Sequence, residues 1–69
     1  VSEEEVAILE RAAHLLYADT DPTSDRASDV LLADSLTKLA KELRAGHPVP
    51  GIGQTLILAQ ILVRVMEAQ

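Results

Sequence analysis

A chain of 69 residues makes one domain at most, near the lower limit of what folds without a staple, and the absence of Cys removes disulfides and thiolate metal sites from the possible staples. The formal charge of −5 is unevenly placed: residues 1–29 hold eight acids against Arg11 and Arg26, net −6, and residues 30–69 hold four bases against three acids, net +1. So acidic a first half repels a nucleic-acid duplex or an anionic membrane surface, and neither is an expected partner.

The apolar residues are small for their number. Ten are Ala, Phe and Trp are absent, and Tyr17 is the only aromatic, so burial stabilises this chain less per residue than usual. Two isolated histidines, His14 and His47, do not make a zinc site, and no metal or cofactor is expected. Oligomerisation is the staple that remains.

In chain order, Ser2-Glu3-Glu4-Glu5 reads as a helix start, with Ser2 as cap, Glu5 closing a capping box, and acids at the positive end of the dipole. Val6, Leu9, Ala13 and Leu16 then recur on one face, widened by Ile8, Ala12 and Leu15, which predicts a first helix over about 2–18. The acidic start is not a secretory signal, so a cytoplasmic location is expected. Residues 19–28 hold no large apolar side chain and read as an acidic loop. Asp21-Pro22, Ser24 and Ser28 are all possible helix caps there, so the second helix could begin anywhere from 22 to 29, and it is placed at about 29–45. Its buried stripe is expected to be Leu32, Leu36, Leu39, Ala40 and Leu43, and Gly46 and Pro48 stop it.

The third helix, about 52–68, carries the main inference. On a helical wheel its large apolar residues cover about 260° of arc. Ile52, Leu56, Ala59, Val63 and Met66 form one stripe, and Leu58, Leu62 and Val65 a second with Ile61 beside them. A peripheral helix needs only one. Two neighbouring helices cannot enclose both, so one stripe meets another chain. The expectation is an all-α, three-helix up-down-up domain, assembled as a homodimer or with another protein through this helix. Ile57, Leu58, Ile61, Leu62 and Val65 are the expected partner-facing residues. No stretch approaches the ~20 apolar residues of a membrane span.

Other motifs carry less. Asp19, Asp21, Thr23 and Asp25 are spaced as in the first seven positions of an EF-hand loop, a resemblance that would imply calcium. Ser24 stands where that loop takes Gly, and Val30 where it takes a bidentate Glu. Asp34-Ser35-Leu36 resembles the attachment motif of acyl and peptidyl carrier proteins. The stretch 33–50 is similar to their recognition helix and following turn, and the resemblance implies a phosphopantetheine arm on Ser35. Carriers place Gly two residues before the Asp and the Ser at a helix start, whereas here Leu32 holds the first position and Val30-Leu31-Leu32 suggests a helix already under way. Gly51-x-Gly53 has neither the strand nor the Lys of a phosphate loop. Glu10–His14 reads as a solvated pair, and Lys38, Lys41 and Arg44 as a basic edge. No nucleophile–base constellation is present, so an enzyme is not expected.

Overall fold

The computed structural model describes residues 3–19 and 25–68, which form three helices and, among those residues, no strand: α1 (Glu3–Ala18), α2 (Arg26–Arg44) and α3 (Ile52–Glu67). Ser2, proposed above as a cap, lies outside the described residues, as do Asp21, Thr23 and Ser24 of the acidic loop.

α1 is the centre of the molecule. Val6, Leu9, Ala12, Ala13 and Leu16 are all buried, and α1 packs against both α2 and α3, whereas α2 and α3 make no close backbone approach to each other. Polar contacts mark the seams. Glu10 pairs with Arg44 at 2.5 Å, the Tyr17 hydroxyl donates to Asp34, and Arg11 pairs with Glu67.

Alanine is half of the buried core: Ala12, Ala13, Ala33, Ala40 and Ala59 stand with Val6, Leu9, Leu16, Leu36 and Leu43. Small side chains let helices approach closely but contribute little transfer free energy, so cohesion rests on a few leucines. α3 is attached most thinly, since Ala59 is its one buried residue. Ile52, Leu56, Leu62, Val63 and Met66 are half-buried against the core.

α2 differs from the sequence reading in its cap and in its buried stripe. It begins at Arg26, inside the range left open, and Asp25 rather than any of the three candidates caps it: the carboxylate accepts from the Ser28 backbone N–H at 3.3 Å and from the Ser28 hydroxyl at 2.8 Å. The buried stripe is Ala33, Leu36, Ala40 and Leu43, with Leu39 half-buried and Leu32 left 47% exposed. The small Ala33 takes the place against α1 that the pattern assigns to Leu32.

Arg26 also does something the sequence does not announce. α1 has no basic residue in its last turn, and the Arg26 guanidinium donates to the carbonyls of Tyr17 at 2.5 Å, Asp19 at 2.6 Å and Leu16 at 3.4 Å. One side chain thus satisfies the Tyr17 carbonyl in the last turn of α1 and the Asp19 carbonyl just beyond it, and sets a positive charge at the negative end of the helix dipole.

The α2–α3 connection is closed at both ends by glycines with positive φ. Gly46 (φ 82°) forms a Schellman stop, its N–H donating to Leu43 O and that of His47 to Glu42 O. Gly51 (φ 74°) opens α3, and its carbonyl accepts from the Thr55 N–H at 3.2 Å.

Two outcomes follow. Leu9 is fully buried, so Leu9→Ala is expected to cost about 2–5 kcal/mol in urea unfolding. Arg26→Ala should lower the melting temperature followed by circular dichroism, and Arg26→Lys should recover only part of the loss, because a single ammonium cannot reproduce the planar fork over three carbonyls.

Candidate partner-binding surface

α3 presents different chemistry to each side. Its polar strip turns toward α1, where Glu67 pairs with Arg11, and Ile8, Arg11, Gln60, Val63 and Arg64 line a shallow cavity of about 180 Å³. The stripe Ile52, Leu56, Ala59, Val63 and Met66 faces the core. The remaining arc holds large aliphatic side chains open to solvent: Ile57 is 59% exposed, Leu58 66%, Ile61 51% and Val65 53%. Leu62 differs from these four. It is half-buried against the core and also lines the edge of the exposed region.

That edge is a groove. α2 and α3 both pack on α1 with their own backbones more than 8 Å apart, and a cleft of about 390 Å³ opens between them, lined by Leu32, Leu36, Thr55, Leu58, Ala59 and Leu62. No lining residue is charged. α3's only charged side chains, Arg64 and Glu67, lie on the α1 side. The α2 wall is the part that sequence reasoning missed. The available signal was the run Leu31-Leu32-Ala33: three successive apolar residues span about 200° of a helix, more than the face that packs on α1, so at least one of them stays outside the core.

The remaining candidates are dispersed. Ser35 is exposed in the middle of α2, its hydroxyl donating to the Leu31 carbonyl at 3.0 Å, far from the helix start that the carrier resemblance requires. Of the calcium-like positions among the described residues, Asp25 is engaged as the α2 cap, and this holds its carboxyl below the usual range. No group of three potential metal ligands occurs among the described residues. His14, Glu10, Arg11 and Tyr17 border an open surface hollow with Ala13 and Thr37. In the basic edge Arg44 is paired with Glu10. Among the described residues no helix is long and apolar enough to cross a membrane.

Comparison with family models, with curated proteins and with solved structures finds no match.

One carboxylate is in tension. Asp29, in the first turn of α2, has an oxygen shut off from solvent without a hydrogen-bond partner. Desolvation first, and the neighbouring Asp19 second, raise its pKa above the ordinary value. A group raised in the folded state adds stability below its ordinary pKa and loses that contribution as the pH climbs through the folded value. Asp29→Asn is therefore expected to melt above the parent at pH 7, with the gap closing below pH ~4. Thermal melts at the two pH values measure it.

Proposed function

We propose that this chain is a small, non-catalytic protein–protein interaction and self-association module that acts by presenting the outer face of α3. The observation that carries the reading is the contiguous, charge-free surface of Ile57, Leu58, Ile61 and Val65 on a helix with a single buried residue. Leaving four large aliphatic side chains half in water forgoes about 1 kcal/mol each. Patches of this kind on small domains mark contact surfaces.

The assembly proposed is a homodimer of up-down-up domains. Support for the helix directions comes from the seams: moving along α1 from Glu10 to Tyr17, the α2 partners run back from Arg44 to Asp34, while Arg11 meets Glu67 near the end of α3. Support for contact by surface rather than by chemistry comes from the contrast between the aliphatic outer face of α3 and the open, solvent-filled hollow in which Glu10, His14 and Tyr17 stand. Net acidity, −5 overall, favours a protein partner over nucleic acid, and a cytoplasmic setting accords with a chain lacking Cys.

Light scattering of the purified chain is expected to give a mass above the 7.4 kDa of one copy. Ile61→Asp is the cleaner disrupting change, because Leu62 also supports the core and its loss would confuse unfolding with dissociation. Placing an unpaired carboxylate at two symmetry-related sites should weaken association by roughly a hundredfold or more, with helicity preserved. A parent that stays at monomer mass at high concentration overturns the self-association.

A further inference from the structure

We draw no further inference here: the strongest candidate, the charge-free cleft between α2 and α3, carries nothing because no feature of the structure shows what covers it.

Discussion

The structure depends on one helix serving two neighbours. α1 buries Val6, Leu9, Ala12, Ala13 and Leu16 around a wide arc, and α2 and α3 each pack on it while their own backbones stay more than 8 Å apart. A bundle whose three helices approached each other equally would close its own core. Here the third approach is wider, and with it go the groove and the single buried residue of α3.

The alanine content explains why α1 can do this. Ala12 and Ala13 on α1, facing a core that includes Ala33, Ala40 and Ala59, let backbones come close over short stretches. Close approach improves dispersion contacts but adds little apolar area, so each seam is tight without being strong. Polar contacts reinforce the rims, and the pairs Glu10–Arg44 and Arg11–Glu67 lie among exposed side chains where an ion pair is worth at most about 1 kcal/mol. The Arg26 guanidinium over the α1 carbonyls has better geometry, and it ties the start of α2 to the end of α1 across the acidic segment.

Much of this was legible in the sequence, and for physical reasons. The α1 stripe, the Gly46 stop and the two-sided apolarity of α3 follow from periodicity and from the conformational freedom of glycine, which are local properties. The start of α2 was not legible, because Arg26, Ala27 and Ser28 carry no apolar signal and three residues compete to cap; only the Asp25–Ser28 geometry decides. Leu32 was misplaced because periodicity alone does not distinguish a leucine against the core from one on the lip of a cleft. That distinction depends on where a second helix stops short. Among the partner-facing residues the pattern named, Ile57, Leu58, Ile61 and Val65 are exposed, while Leu62 is shared between core and groove. Their role in association is a matter of assembly, which periodicity does not record.

The two left-handed glycines flanking His47-Pro48-Val49-Pro50 have an entropic side. Gly46 and Gly51 fix the direction in which the chain leaves α2 and enters α3, and the prolines between them hold two backbone torsions constant. The start of α3 is therefore restrained relative to the end of α2 by torsions local to the connection. A wall hung from so short and stiff a link has less backbone freedom to lose on being covered than one carried by a freely jointed loop.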